Sequence, residues 1–390
     1  MSDVWELVAA LDAAAAAGRR AAVATIIAIR GASYRDVGAR ALVTEDGTVT
    51  GMISGGCGET ELSAVACKAM DIGIPLLHRF ELSEDAIRGL GIGCGGTVDV
   101  WIEPVLDCAV SSAWFSALRD GRPAVQVTLL DDPHPPPHPE ARRLVVGPGT
   151  QALGTLGSQD LDLWASVAAQ HVLDDRLPRS EIRQAAFPNG SAHTLFFDVS
   201  VPPNNLVVFG AGSDAIPLAA MAQRLGMNVT VMDPRPAFAT RARFPGAVIL
   251  VSHPDRLVSR VCLNRQSFVV IMNHNLERDQ ACLKLALESS AAYIGLLGPR
   301  TRLERIWAQL RLEGALRDLE LNRQIHSPVG LDIGAESPAE VALSILGEIV
   351  AARNGHTGAS LGDRSGPIHR RGACERGARI GRVPATSAPT

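Results

Sequence analysis

Lysine and tyrosine are nearly missing from this 390-residue chain. The lysines are Lys68 and Lys284, the tyrosines are Tyr34 and Tyr293, and arginine carries the remaining basic charge. These absences exclude several chemistries. No Gly-x-x-x-x-Gly-Lys occurs, so no P-loop lysine meets a nucleotide phosphate, and neither lysine sits in a stretch suited to a Schiff base. Neither tyrosine is followed by lysine four residues on, which removes the Tyr-x-x-x-Lys pair of short-chain dehydrogenases. No apolar run reaches the roughly 18 residues of a membrane span, and the N-terminus lacks a basic-then-apolar leader. The net charge of −4 gives no basic field for nucleic acid. Seven cysteines, odd in number and scattered, make no disulfide framework. The expectation is a cytoplasmic protein with reduced thiols, no membrane insertion and no nucleic-acid partner.

Two of the cysteines lie inside glycine clusters: Ser54-Gly55-Gly56-Cys57-Gly58-Glu59 and Gly91-Ile92-Gly93-Cys94-Gly95-Gly96. Glycine removes side-chain bulk and permits left-handed backbone, so a ligand can approach the main chain closely. Successive amides can then turn toward one point and form an anion-binding nest. A thiol in such a place is biased toward the thiolate, a soft metal ligand and a sulfur nucleophile. Buried cysteine beside an ordinary glycine turn is the alternative reading. Two loops of the same make-up, each beside an expected strand end, favour a ligand that is anionic and carries a metal or sulfur.

Hydrophobic periodicity predicts an α/β chain in two domains. Residues 1–200 form a mixed, strand-rich domain that carries the Cys57 and Cys94 loops. It holds a helix over 2–18, strands at Ala22–Ile29, Ala39–Thr44, Thr48–Ile53, Leu76–Leu82 and Thr97–Glu103, and a helix from Glu59. Between 105 and 200 the pattern yields a helix at Val110–Arg119 and strands at Ala124–Leu130, Arg143–Val146 and Thr194–Val199. The proline-rich Asp131–Glu140, with His134 and His138, cannot hold regular structure. After the linker Val201-Pro202-Pro203-Asn204-Asn205, residues 204–352 alternate short apolar strands with helices, the pattern of a Rossmann-like, doubly wound parallel sheet. Ser337-Pro338-Ala339-Glu340 reads as a capped helix start. Residues 353–390, rich in Gly, Arg, Ser and Pro, read as a disordered basic tail. No internal repeat is evident.

Gly210-Ala211-Gly212-Ser213-Asp214-Ala215 follows one expected strand and opens a helix, and Asp233 ends the next strand. That is the dinucleotide fingerprint, with Gly210 and Gly212 at the turn and Asp233 placed for ribose hydroxyls. Asp214 departs from it, since it sets negative charge where a pyrophosphate would lie; as a first-turn acid it serves the helix dipole equally well. His274, just past a strand's carboxyl end, lies on the edge where open α/β sheets bind ligands, as does the Gly298-Pro299-Arg300 loop. His253 and His326 carry weaker claims.

Together these residues resemble the XdhC/CoxI family, maturation factors for molybdenum hydroxylases. The resemblance rests on Gly31-Ala32-Ser33-Tyr34-Arg35-Asp36-Val37-Gly38-Ala39-Arg40, the Cys57 loop, Cys94-Gly95-Gly96, the Gly210 turn, Asp233-Pro234-Arg235 and Pro328-Val329-Gly330-Leu331-Asp332-Ile333-Gly334. It implies a protein that binds the molybdenum cofactor, holds it while a cysteine desulfurase supplies sulfur, and passes it to an apo molybdenum hydroxylase of the xanthine dehydrogenase or carbon monoxide dehydrogenase type. A homodimer is expected as well. Cys57 and Cys94 would ligate molybdenum or relay sulfur. Arg30, Arg35 and Arg40 would meet phosphate and pterin edge, Glu59 would fix a loop conformation or the pterin amine, and Gly55, Gly56, Gly95 and Gly96 would take the remaining negative oxygens. Tyr34, Gly58 and Ser213-Asp214 depart from the family pattern. The readings from other classes are an NAD(P)-dependent oxidoreductase using Gly210–Asp233, which lacks a recognisable proton-donor pair, and a nucleotide-sensing adaptor.

Overall fold

The computed structural model describes residues 2–31, 33–53, 58–82, 96–131, 142–175, 177–253, 261–312 and 325–363. They fall into two compact units, one formed by Asp3–Val201 and the other starting at Pro202. The apolar strand β1 (Ala21–Arg30) is buried from Ala21 through Ile27, because it is central in its sheet and covered on both faces, and only its last residue, Arg30, is exposed. Around it stand β2 (Arg40–Thr44), β3 (Val49–Gly51), β4 (Leu76–Leu82) and β5 (Gly96–Pro104), in the antiparallel order β3-β2-β1-β5-β4. Helix α1 (Ser2–Ala16) precedes β1, and α2 (Glu59–Ile72) links β3 to β4.

The same succession then recurs. Helix α3 (Ala109–Arg119) is followed by β6 (Ala124–Leu129), β7 (Arg143–Val146), β8 (Leu153–Thr155), α4 (Gln159–Asp174), β9 (Glu181–Ala186) and β10 (Ala192–Ser200), ordered β8-β7-β6-β10-β9. The registers correspond as well. Thr25 faces Arg40 as Thr128 faces Arg143, and Val23 faces Glu103 as Gln126 faces Asp198. The expectation of no internal repeat is therefore corrected: the first unit is a duplicated α-βββ-α-ββ module. The two copies share backbone pairing rather than residue identity, so self-comparison of the sequence misses it. The short β8, the amphipathic α4 and the β9 hairpin strand escaped the sequence reading for the same reason.

Helix α2 covers the outer face of the first sheet through Leu62, Ala66, Ala69 and Met70, and α4 covers the second through Leu161, Ala165, Ala169 and Val172. The inner faces meet through Ile27 and Trp101 on one side and Leu130 and Phe196 on the other. Two buried ion pairs cross this seam reciprocally. Arg40 donates from Nε to Asp198 Oδ2 at 3.0 Å. Its counterpart Arg143 places Nη1 3.7 Å from Glu103 Oε2, and Gln126 Nε2 donates to the same carboxylate at 3.2 Å. Ser180 Oγ donates to Asp198 at 3.0 Å. Gly38 (φ +87°) lets the β1–β2 connection press on Ser180, since a Cβ at Gly38 would lie 2.7 Å from Ser180 Oγ.

In the second unit β11 (Asn205–Phe209), β12 (Asn228–Met232), β13 (Val248–Leu250), β14 (Ser267–Ile271), β15 (Tyr293–Leu296) and β16 (Ile325–His326) run parallel in the order β13-β12-β11-β14-β15-β16. Helices α5 (Ala215–Arg224) and α8 (Pro338–Arg353) pack on one face, and α6 (Leu276–Leu287) and α7 (Arg300–Leu312) on the other. Ser337 and Glu340 form the full capping box at α8. Residues 354–363 are exposed, with Gly358 lying against the Leu331 side chain, which an added Cβ would meet at 2.5 Å. Residues 364–390, and the proline-rich segment with His134 and His138, lie outside the described residues. Among the described residues no helix is long and apolar enough to cross a membrane.

Removing one partner of a buried, hydrogen-bonded ion pair leaves an uncompensated charge. Arg40→Ala is expected to lower unfolding free energy by about 3–5 kcal/mol, and Arg40→Met with Asp198→Leu to recover most of that loss. Urea denaturation of the three chains checks it.

Candidate functional site

Antiparallel pairing brings the connections that carry the sequence motifs to one end of the first sheet. Strand β1 ends at Arg30, opposite Thr97 at the start of β5, and β4 ends at Leu82 opposite Gly96. On the other side, β2 starts at Arg40 and β3 ends at Gly51, opposite Ala41. The segments 31–39, 52–58 and 83–95 therefore all attach at this edge. Cys57, Gly55, Gly56, Cys94 and Gly95 lie outside the described residues, but the strand and helix ends that bracket them are described. Among the described residues no group of three His, Cys, Asp or Glu side chains is placed to hold a metal ion.

The described motif residues divide by role. Gly96 is buried as the first residue of β5. Glu59 opens α2, whose N-cap Gly58 supplies no capping side chain. Glu59 Oε2 and Ser33 Oγ are buried and have no hydrogen-bond partner among the described residues. A buried acceptor or hydroxyl left unpaired costs about 1–3 kcal/mol, so each suits a ligand group that would pair with it. Arg35 is half-buried in the 31–39 connection, and Tyr34 is exposed. Arg40, expected to face phosphate, is engaged elsewhere, buried and committed to Asp198 across the seam.

Beside the motif loops lies a charge cluster that the sequence reading passed over. Asp99, on β5, is 1 % exposed and accepts from Arg30 Nη1 at 2.9 Å, from Arg79 Nε at 2.5 Å and from Arg79 Nη2 at 3.0 Å. The hydrogen bond to Asp99 raises the Arg79 pKa, against the opposing effect of desolvation. A lone acid inside the apolar run Val98-Asp99-Val100 was the available signal. In an interior strand such a residue must find a cation.

The second unit presents a different edge. Strand order reverses between β11 and β14, the switch point at which α/β sheets bind ligands. Gly210 (φ +116°) makes the tight turn there; a Cβ would lie 2.4 Å from the Met272 carbonyl oxygen. His274, at φ +56°, pairs through Nε2 with Asp214 Oδ2 at 2.7 Å, beside Gly212. Asp214 also accepts from the Ala215 amide at 3.1 Å, so a carboxylate occupies the helix N-terminus where a pyrophosphate would bind. Asp233 is engaged as well. Oδ2 accepts from the Ala211 amide at 2.9 Å and from Arg235 Nη2 at 2.7 Å, and Oδ1 from Arg235 N and Nε, each at 2.9 Å. Burial would raise its pKa, but the hydrogen bonds from Arg235 and Ala211 outweigh that and hold it below the usual range. The fingerprint is present as backbone shape, while its ribose acid is saturated from within.

At the other end of this sheet Glu348, on α8, gathers three partners. Tyr293 Oη donates to Oε2 at 2.5 Å, the Gly330 amide donates to it at 2.8 Å, and His326 Nδ1 pairs with Oε1 at 2.9 Å. Burial pushes Glu348 up, but its hydrogen bonds with His326, Tyr293 and Gly330 bring it below its ordinary value. This cluster fixes the segment that begins Pro328-Val329-Gly330.

With the geometry in view, two family models match: the XdhC and CoxI family over residues 14–81 and the XdhC Rossmann domain over residues 206–349. The chain belongs to the XdhC/CoxI family. It is 28% identical over 353 residues to a Bacillus subtilis (strain 168) protein named as a probable xanthine dehydrogenase subunit, covering 88% of this chain and 96% of that one. It is 25% identical over 339 residues to the molybdenum cofactor insertion chaperone PaoD of Escherichia coli (strain K12), covering 86% and 84%. A crystal structure described as a xanthine dehydrogenase from Bacillus halodurans superposes with a TM-score of 0.70 at 29% identity, covering 90% of this chain and 96% of that chain. Neither these relatives nor the Asp233 and Asp214 geometry supports NAD(P) as a ligand.

Two outcomes follow for this family member. Titrating the purified protein into NADH should leave NADH fluorescence unchanged; saturable enhancement would restore the dinucleotide reading. A carboxylate with a depressed folded pKa stabilises above its unfolded pKa, and that stability is lost as pH falls through the folded value. Glu348→Gln should therefore lower stability at neutral pH and flatten the decline that sets in below about pH 5 and runs down through the depressed folded value, as read by urea denaturation.

Proposed function

We propose that this XdhC/CoxI protein is an accessory factor that holds the molybdenum cofactor at the loop edge of its first sheet. It delivers the cofactor to an apo molybdenum hydroxylase of the xanthine dehydrogenase or carbon monoxide dehydrogenase type. The observation that carries this reading is a pair of buried atoms, Glu59 Oε2 and Ser33 Oγ, that have no partner among the described residues, at the edge where both cysteine-bearing connections attach. An acceptor carboxylate fits the amine and ring N–H donors of a pterin, and a hydroxyl fits either end of a hydrogen bond. The names of the Bacillus subtilis and Escherichia coli relatives support the same cargo and the same class of client.

In this reading Cys57 and Cys94 supply soft sulfur toward molybdenum or relay sulfur delivered by a cysteine desulfurase. Gly55, Gly56, Gly95 and Gly96 admit the ligand close to main-chain amides. Gly210, Gly212, Asp233 and His274 belong to the second unit's switch-point edge and serve the same carrier rather than a redox reaction of its own. The protein works in the cytoplasm as a homodimer.

Purification from molybdate-replete cells tests the thiols. The wild-type chain should carry molybdopterin, and Cys57→Ala and Cys94→Ala should each carry several-fold less. Equal occupancy in all three would remove the thiols from the site.

A further inference from the structure

The first unit contains its own control. Because the two modules share topology and register, each position in the first has a counterpart in the second that meets the same demands of the fold. Arg79 faces Asp99 where Gln184 faces Thr194. The second copy pairs uncharged side chains at this register, with the Asp131 carboxylate accepting from the Thr194 backbone amide at 2.7 Å and no arginine facing Thr194 from β9. The first copy places a fully buried carboxylate under two guanidiniums. The shared topology does not call for an arginine–aspartate pair at this register.

What the cluster does offer is two aimed cations. Arg30 and Arg79 are 48% and 51% exposed, whereas Asp99 beneath them is 1% exposed. Asp99 engages Nη1 of Arg30 and Nε and Nη2 of Arg79. Nε and Nη2 of Arg30 and Nη1 of Arg79 have no protein partner among the described residues. A carboxylate that fixes two guanidiniums in place removes the rotamer entropy that free arginines would lose on binding an anion. Glu81 shares this face of β4, is exposed and makes no ion pair with either arginine among the described residues, but its charge acts on Arg79 and an incoming anion has to displace that influence. The cluster sits at the motif edge: Arg30 immediately precedes Gly31, and its cross-strand partner Thr97 immediately follows Gly96.

We propose that Arg30 and Arg79, held by Asp99, form an oxyanion site that receives a phosphate monoester, the phosphate group of the molybdenum cofactor. This rests on the cofactor reading above and assigns the end of the cargo remote from the metal. Guanidinium forks suit a phosphate through paired N–H donors, and a compact ammonium would not replace them.

The test uses the full-length, cofactor-free chain and inorganic phosphate, titrated calorimetrically at low ionic strength. Arg79→Gln alone and Arg79→Gln with Asp99→Thr install the second module's own residues, which this fold already accommodates; Arg30→Gln completes the set. Phosphate affinity should fall by at least about tenfold in each variant, while urea midpoints of the double variant stay near wild type. Unchanged affinity with lowered midpoints would make the cluster structural and overturn the site, as would a wild-type chain that does not bind phosphate. Cofactor retention in the same variants identifies the occupant. Loss of retention with loss of phosphate binding supports the cofactor's phosphate, and full retention overturns it. Full retention in Arg79→Gln beside loss in Cys57→Ala would sink the oxyanion site and leave the thiol reading standing.

Discussion

Two antiparallel sheets of one topology are fastened face to face by charges that each lends to the other. Arg40 of the first module reaches Asp198 of the second, and Arg143 of the second reaches Glu103 of the first. Their apolar surroundings, with Trp101 and Phe196 nearby in the seam, make these pairs costly to break and so fix the facing of the sheets. The 31–39 connection is pinned by the same lock, through Gly38 against Ser180 and Arg40 against Asp198. At the edge where the functional motifs attach, the seam thus holds the end of the 31–39 connection in place, as a scaffold positions a binding site.

The scarcity of lysine has a structural counterpart. Asp198 meets Arg40, Asp99 meets Arg30 and Arg79, Asp233 meets Arg235, and Asp279 meets Arg302 at 2.8 Å. These are carboxylates with side chains no more than 4% exposed; a fork of N–H donors holds Asp198, Asp99 and Asp233, while Asp279 meets a single Arg302 nitrogen and accepts from Asn273 through Oδ1. A lysine ammonium is a point charge and could not chelate two oxygens in one plane. The protein therefore uses arginine both to stabilise its interior and, at Asp99, to turn a buried acid into a base for two outward cations.

Much of this was legible from the sequence, and the failures have physical causes. The parallel sheet could be read because its strands are continuous apolar runs bounded by Gly210, Asp233 and the Ser337 cap. The Cys57 and Cys94 segments could be placed at strand ends because their glycines punctuate the pattern. The duplication was not legible, since it resides in hydrogen-bond register, to which side-chain identity is only loosely tied. Arg40 and Asp198, far apart in sequence, show their partnership only in three dimensions. Asp233 appeared ready for a ribose because a spacing rule says where an acid stands, not what already occupies it. The Glu348 cluster joins Tyr293, His326 and Gly330, which no local pattern connects.

Hydrogen exchange read by mass spectrometry, comparing the cofactor-loaded chain with the cofactor-free one, tests most directly where the cargo sits. Slowed exchange should concentrate in peptides covering Arg30–Asp36, Gly58–Thr60 and Gly96–Val100. Slowing confined to Gly210–Asp214 and the His274 segment, with the first sheet's edge unchanged, would contradict the account.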